Sequence, residues 1–421
     1  MRTVLQVFVF DLMAKLLLAV FGLLLIRHLP ASAFADYTFA TSLANVAAGL
    51  LTASFNRIYI VGYDQLGLRG RVSSFLTFQF LLVALLIALT LPFWRQGPLL
   101  YWSLVAFVLG NCLYVFATTF MQREERFALF SGIKITHGAL LLLGFLLLLQ
   151  ATSGAGAANA LGLRAVIMML VFVVFVGWRL DLRGLFSLPA AAQTLRRVFA
   201  EGYGQLFVYH AISAIFANVN ILLLRRLVDD HDLAAFGSAY RYYLLLFLAS
   251  SALKSVFLPQ VQNANTAVAL RGIFKRHRLM IAAYVPVVAI AALLAQWAIP
   301  LVDQGRYPEA VTVFRILCVS TVLSFAFSAY MTLLMKHRRF RLLIVLITVG
   351  VVFNLVVSYV LIVGQGIVGA AIATVLAYGG FNFAVFVSAR STLRAATGTG
   401  HGDHASDRHD GPDAGHRGAG S

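Results

Sequence analysis

Charge is what this sequence has least of. Only 12 % of its 421 residues are Asp, Glu, Lys or Arg, and just 16 are acidic. A soluble domain carries about 25 % charged residues and uses them to cover its surface, so a water-soluble globule is excluded. Cysteine is nearly absent. Cys112 and Cys318 both lie inside apolar runs, where they form neither a disulfide framework nor a metal-ligand spacing and read as small buried hydrophobes. Also missing are paired carboxylates, G-x-S-x-G, H-E-x-x-H and the phosphate loop G-x-x-x-x-G-K-[ST]. The loops on one side are too short to hold the reacting groups of a membrane transferase, polymerase or ligase. The expectation is a protein that is not an enzyme and uses no cofactor and no metal.

What is present in excess is apolar residue, 61 % of the chain. It falls in runs of about twenty, the length a helix needs to cross about 30 Å of hydrocarbon while satisfying its own backbone. Twelve spans are predicted at roughly 4–26, 37–61, 74–93, 99–121, 128–150, 158–178, 203–224, 234–258, 279–301, 310–334, 342–363 and 367–389. The first is too long for a signal peptide and lacks a small-residue cleavage site. The longest connections are 179–202 and 259–278. The tail 391–421 is rich in Gly, His and Asp and is expected to be disordered, its four histidines solvated.

The formal charge of +17 would suggest nucleic acid in a soluble protein. Sorted by loop, it reports orientation instead. With the N-terminus inside, nineteen Lys and Arg fall in inner loops and five, Arg27, Arg95, Arg225, Arg226 and Arg306, in outer ones. Cytoplasmic loops collect basic residues, so both termini are expected in the cytoplasm.

The chain also repeats itself. A shift of 213 residues superposes Arg126-Phe127 on Arg339-Phe340 and Gly156–Ala160 on Gly369–Ala373, without a gap. A shift of 199 sets Arg27, Phe34, Ala35 and Tyr37 on Arg226, Leu233, Ala234 and Phe236. The expected fold is all-α: two six-helix lobes, 1–180 and 203–390, joined by a cytoplasmic linker at 181–202. Six spans is an even number, so the lobes are related by a pseudo-two-fold axis along the membrane normal, with a cleft between them.

Seven cations remain within or at the ends of spans: Lys15, Arg57, Lys134, Arg164, Arg241, Lys254 and Arg315. Asp11 is the only acid left there. A charge at the bilayer centre costs about 2.5–3.5 kcal/mol, so these groups must reach water, a partner or the bundle interior. Arg164 sits near a span end and is expected to snorkel. Lys15 has Asp11 four residues earlier on the same face, and Lys134 shares a face with His137. Asn111, His210, Asn218, Asn220, Asn354 and Asn382 are polar residues at depth that can bridge helices. A cavity lined mainly by cations attracts an anion, and arginine's planar fork suits phosphate. A proton or sodium antiporter would carry buried carboxylates instead.

Several stretches carry a family likeness: Leu233–Arg241 (LAAFGSAYR), Leu258-Pro259, Gly305–Leu317 (GRYPEAVTVFRIL), Asn354–Thr374 ending in GIVGAAIAT, and Leu23–Tyr37 (LLLIRHLPASAFADY). In these the chain resembles the polysaccharide/O-antigen flippase branch of the multidrug/oligosaccharidyl-lipid/polysaccharide exporter superfamily. The resemblance implies alternating access in a bacterial inner membrane. Its implied cargo is a polyprenyl-pyrophosphate-linked oligosaccharide, an O-antigen or exopolysaccharide unit, and its implied partners are the bilayer and other polysaccharide assembly proteins, with no nucleic acid. On that reading Lys15, Arg57, Lys134, Arg241 and Arg315, with His137 and His210, contact the pyrophosphate. An ion-coupled drug antiporter of the same superfamily is the alternative. A major facilitator transporter is a weaker one, since the loop Gly62–Arg71 (GYDQLGLRGR) has a Gly-to-Asp spacing of two where that family uses four.

Overall fold

The computed structural model describes residues 2–61, 66, 72–94, 97–151, 156–177, 187–264, 266–337 and 339–398. Most of the loop 62–71 therefore lies outside the described residues, as do 178–186, which include the start of the linker, and 399–421 of the tail. Among the described residues every regular element is helical: α1 (Arg2–His28), α2 (Ala31–Ala48), α3 (Ser54–Val61), α4 (Val72–Thr90), α5 (Pro98–Arg123), α6 (Phe127–Ala151), α7 (Ala157–Phe175), α8 (Leu188–Ala200), α9 (Gly204–Leu227), α10 (Asp230–Asn263), α11 (Ala267–Asp303), α12 (Glu309–Lys336) and α13 (Phe340–Gly398). A π-helical turn, Gly49–Ala53, joins α2 to α3 into one span.

Among the described residues, ten segments are long and apolar enough to cross a bilayer. The last, α13, breaks at Gly366 (φ 57°, ψ −136°), a left-handed conformation that glycine adopts without steric cost. It is therefore two helices, α13a (340–365) and α13b (367–398). With α10 this completes the twelve spans the apolar runs predict.

Two expectations at helix ends need correction. The connection read at 259–278 is nearly all helix, because α10 runs to Asn263 and α11 begins at Ala267. Thr266 caps α11 by accepting from the Ala269 amide at 3.2 Å. At 37 residues α11 is about 55 Å long, well beyond the hydrocarbon core, and its first turns carry the exposed Arg271, Lys275 and Arg276. The tail read as starting at 391 likewise begins in helix, which continues to Gly398.

Packing repeats between the halves. In the first, α1 packs on α6 and α5 on α7; in the second, α9 and α12 both pack on α13. The internal repeat falls in register: Arg27 and Arg226 are each the second-last residue of their helices, and Phe34 and Leu233 each the fourth of theirs. The halves meet where α2 runs against α9 and α10. Large apolar side chains cover the outside, Leu293, Trp297 and Leu301 on α11 and Val349, Val356 and Val360 on α13a among them. A surface of that kind is stable against lipid and not against water. The face from which α1 starts is termed proximal and the opposite face distal.

Candidate functional site: a chain of cations between the halves

The face that α1 presents to the second half is set by its two packed neighbours. Phe21 meets Phe145 edge-on at 5.3 Å, and a Cβ on Gly138 would stand 2.9 Å from that of Leu17, so Leu17 and Phe21 face α6. Gly22 faces α10, since a Cβ there would stand 3.2 Å from a guanidinium nitrogen of Arg241. Asp11, Lys15, Leu18 and Gly22 follow one another at helical spacing, so the charged residues lie on the stripe that leads to Arg241.

Asp11 is bonded on both sides. Lys15 Nζ stands 2.8 Å from one carboxylate oxygen and Lys134 Nζ, from α6, 2.6 Å from the other. Lys134 also lies 4.1 Å over the Phe130 ring. His137, one turn further along α6, is buried against Tyr114 at 4.5 Å with neither ring nitrogen hydrogen-bonded.

Arg164, on α7, leads to the boundary with the second half. Its Nη1 donates to the Tyr37 hydroxyl at 3.2 Å and its guanidinium lies 4.7 Å over Phe107. Arg241 approaches the same Tyr37 from the second half, 5.1 Å over its ring and 5.7 Å from that of Phe34. Tyr37 is fully buried between two guanidinium groups. The arrangement is a polar file, from Asp11, Lys15 and Lys134 through Tyr114 and His137 to Arg164, Tyr37 and Arg241, with four cations to a single carboxylate.

On the distal side the halves are locked. Arg225 at the end of α9 pairs with Asp36 of α2 at 2.7 Å and also with Asp230. Arg306 donates to the Leu29 carbonyl at 3.4 Å, and Phe34 stacks on Tyr307 at 6.4 Å. Below this, Ser42 donates to Asn218 at 3.0 Å across the same boundary. The distal exit of the cleft is closed.

Other sequence-predicted groups lie elsewhere. Arg315 is exposed and turned onto α11, where it donates to the Ala292 carbonyl at 3.0 Å and to Gln296 at 3.1 Å, so it does not join the file. His210 is half-buried, 5.5 Å from the Tyr209 ring, where α9 passes Gly49 of the π-helical turn. The side chains of Arg57 and Lys254 lie outside the described residues. Several asparagines bridge helices as expected: Asn220 donates to Thr374 at 2.5 Å and to the Ala370 carbonyl at 3.3 Å, and Asn354 to the Phe216 carbonyl at 3.2 Å.

Tyr37, Tyr114, Arg164 and Asp303 escaped the sequence reading. Arg164 turns inward instead of snorkelling because Tyr37 and Phe107 give it a hydrogen bond and a ring face within the bundle. The signal was its position beside Leu161, Ala165 and Met168, all buried on one face of α7. Asp303 is fully buried at the end of α11 and accepts from Ser238 at 2.5 Å and Tyr242 at 2.6 Å, donors that are both neutral. It lies just past the predicted span end at 301.

The fold is all-helical, with twelve apolar membrane-length helices in two lobes. The sequence matches no protein-family model and no curated protein. Among solved structures, the chain is similar to "Lipid II flippase MurJ, inward closed conformation", with a TM-score of 0.73 at 11 % identity over 92 % of this chain and 87 % of that one. It is similar to an inward-facing multidrug resistance MATE family transporter of the MOP superfamily, with a TM-score of 0.70 at 15 % identity over 92 % and 96 % of the two chains. Against an outward-facing one the TM-score is 0.61 at 12 % identity, over 94 % and 96 %. The chain thus has the fold of the multidrug/oligosaccharidyl-lipid/polysaccharide (MOP) exporter superfamily.

Proposed function

We propose that the protein is a flippase that carries a polyprenyl-pyrophosphate-linked oligosaccharide, such as an O-antigen or exopolysaccharide repeat unit, from the inner to the outer leaflet of a bacterial inner membrane. The halves 1–180 and 203–390 act as lobes joined by the linker 181–202, with both termini and the proximal face in the cytoplasm. The observation that carries this reading is the file of four cations with one carboxylate, three of the cations from the first half and Arg241 from the second. A sugar pyrophosphate cannot enter hydrocarbon without losing its hydrogen bonds. Between the lobes Lys15 and Lys134 offer ammonium charge near mid-membrane, and Arg164 and Arg241 offer forked donors nearer the distal lock. The cargo head would enter from the proximal side with its lipid tail left in the bilayer, and leave distally once the Arg225–Asp36 pair opens.

The test is transport in proteoliposomes loaded with a labelled polyprenyl-pyrophosphate sugar, read by protection of the label from an enzyme outside. Arg241→Gln and Arg164→Gln should each lower the rate at least about tenfold, the loss of roughly 1.4 kcal/mol of contact. If both variants transport at the wild-type rate, the reading fails.

A second reading, an ion-coupled small-molecule antiporter, is favoured by one observation, the buried Asp303 with neutral donors, since intramembrane carboxylates mark proton and ion pathways. It predicts efflux of small organic cations driven by a pH gradient and abolished in Asp303→Asn.

A further inference from the structure

A cavity of about 520 Å³ opens between α2, α4 and α5, away from the cation file. Its walls are aliphatic, with Leu43, Val46 and Leu50 from α2, Leu86 from α4 and Leu104 and Val108 from α5. Its rim differs sharply. Trp94 and Tyr101 stand there with ring centroids 5.3 Å apart, Trp94 donating to the Gly97 carbonyl at 3.0 Å, and Trp102 lies exposed against Tyr101. Tryptophan and tyrosine collect at the boundary between lipid and water, which puts the rim at headgroup depth on the distal side. The rim also holds Arg225 and Arg226, and among the described residues no acid lines the cavity.

We infer that this groove is a binding site for an anionic phospholipid of the distal leaflet, its acyl chain against the aliphatic wall and its phosphate on Arg225 and Arg226. The cavity volume lies in the range of ligand sites, about 300–1,000 Å³. Arg226 is exposed, and its planar fork matches phosphate oxygens. A free phosphate has no use for the wall, and a zwitterionic lipid gains less from the rim.

The consequence reaches the distal lock, because Arg225 both lines the groove and holds Asp36 at 2.7 Å. A headgroup phosphate competes with Asp36 for the same guanidinium, so lipid occupancy weakens one of the contacts that close the distal exit. The site rests on the groove and its rim, whatever the cargo.

Native mass spectrometry of the purified full chain in mild detergent tests this, with phosphatidylglycerol and phosphatidylcholine of identical chains as probes. Phosphatidylglycerol should bind at least about fivefold more tightly, the effect of roughly 1 kcal/mol for a basic group near a headgroup. Arg226→Gln should remove about that factor. Val46→Trp with Val105→Trp should lower retention of phosphatidylglycerol without lowering the unfolding temperature. Asp36→Asn should raise phosphatidylglycerol retention and leave phosphatidylcholine unchanged. Inorganic phosphate at equal concentration should not displace the lipid. Equal binding of the two lipids, full retention in Arg226→Gln or in the tryptophan variant, displacement by phosphate, or no response to Asp36→Asn would each overturn the proposal.

Discussion

Asp11 is the one acid among the four cations of the file, and its replacement by Asn tests whether those cations share an enclosed space. Both ammonium groups lie within 2.8 Å of its oxygens, and the three side chains are only 24–28 % exposed. Removing one partner of a fully buried ion pair costs about 3–5 kcal/mol, because the other charge is left uncompensated. Water reaches these groups in part, so screening lowers the expected cost to about 1–3 kcal/mol. Asp11→Asn should therefore unfold at a lower temperature in detergent, measured by intrinsic fluorescence. It should also recover stability when inorganic pyrophosphate is added, since that anion takes the place of the lost carboxylate. Its apparent affinity for pyrophosphate should rise by about tenfold over wild type, equivalent to roughly 1.4 kcal/mol, because nothing now competes for the lysines. A variant as stable as wild type and indifferent to pyrophosphate would show that the lysines are solvated singly and that the file is not an anion site.

Tyr37→Phe removes only the hydroxyl that accepts from Arg164 at 3.2 Å and keeps the ring under Arg241; it should cost about 1 kcal/mol of thermal stability and lower flipping less than Arg164→Gln does. Arg315→Gln, on an exposed side chain bonded to α11, should leave flipping in proteoliposomes within about twofold of wild type, consistent with surface substitutions worth under ~0.5 kcal/mol. Gly22→Val places branched carbons where an added Cβ already stands 3.2 Å from Arg241, so it should reduce flipping toward the level of Arg241→Gln. Asp36→Asn should raise the distal accessibility of a cysteine introduced at Thr38, scored by a membrane-impermeant maleimide, because it removes an interlobe ion pair.

The sequence carried the spans well because the physical demand on them is crude: a run of about twenty apolar residues either covers the hydrocarbon or does not. It located the break before the last span for the same reason, since Gly364 and Gly366 interrupt the run there. It failed at the proximal end of α11, where Arg271, Lys275 and Arg276 mark departure from the membrane but, Arg and Lys being good helix formers, do not end the helix, and at that of α10, which runs on past its apolar run to Asn263. The site was legible in kind more than in membership. Depth can be counted along a helix, and this put Lys15, Lys134 and Arg241 within α1, α6 and α10. Azimuth depends on which neighbour covers which face, and this misplaced two arginines in opposite senses. Arg164 turned inward because Tyr37 and Phe107 lie there. Arg315 turned outward because the Ala292 carbonyl and Gln296 offer it bonds on α11. Asp303 was missed because hydropathy stops counting where the apolar run stops, while burial by α10 does not.

The pairing of Asp11 with two lysines bears on how such a passage could release what it binds. Four unpaired cations inside a bilayer would be costly when empty, at about 2.5–3.5 kcal/mol for a centrally placed charge, and would hold a pyrophosphate too tightly to let it go. An internal carboxylate lessens both problems. In the empty state it compensates Lys15 and Lys134, so the closed form is stable without cargo. In the loaded state the pyrophosphate gains only the difference between its own contacts and those of Asp11. Arg225 and Asp36 stand in the same relation at the distal exit, one arginine held by a carboxylate of the other half until something displaces it. On the proposed function, binding and opening would both be exchanges of one anion for another on a cation already paired. Swapping Lys15 and Asp11 should keep the pair but move the carboxylate away from Lys134, and a double variant that flips as well as wild type would show that the exchange is not needed.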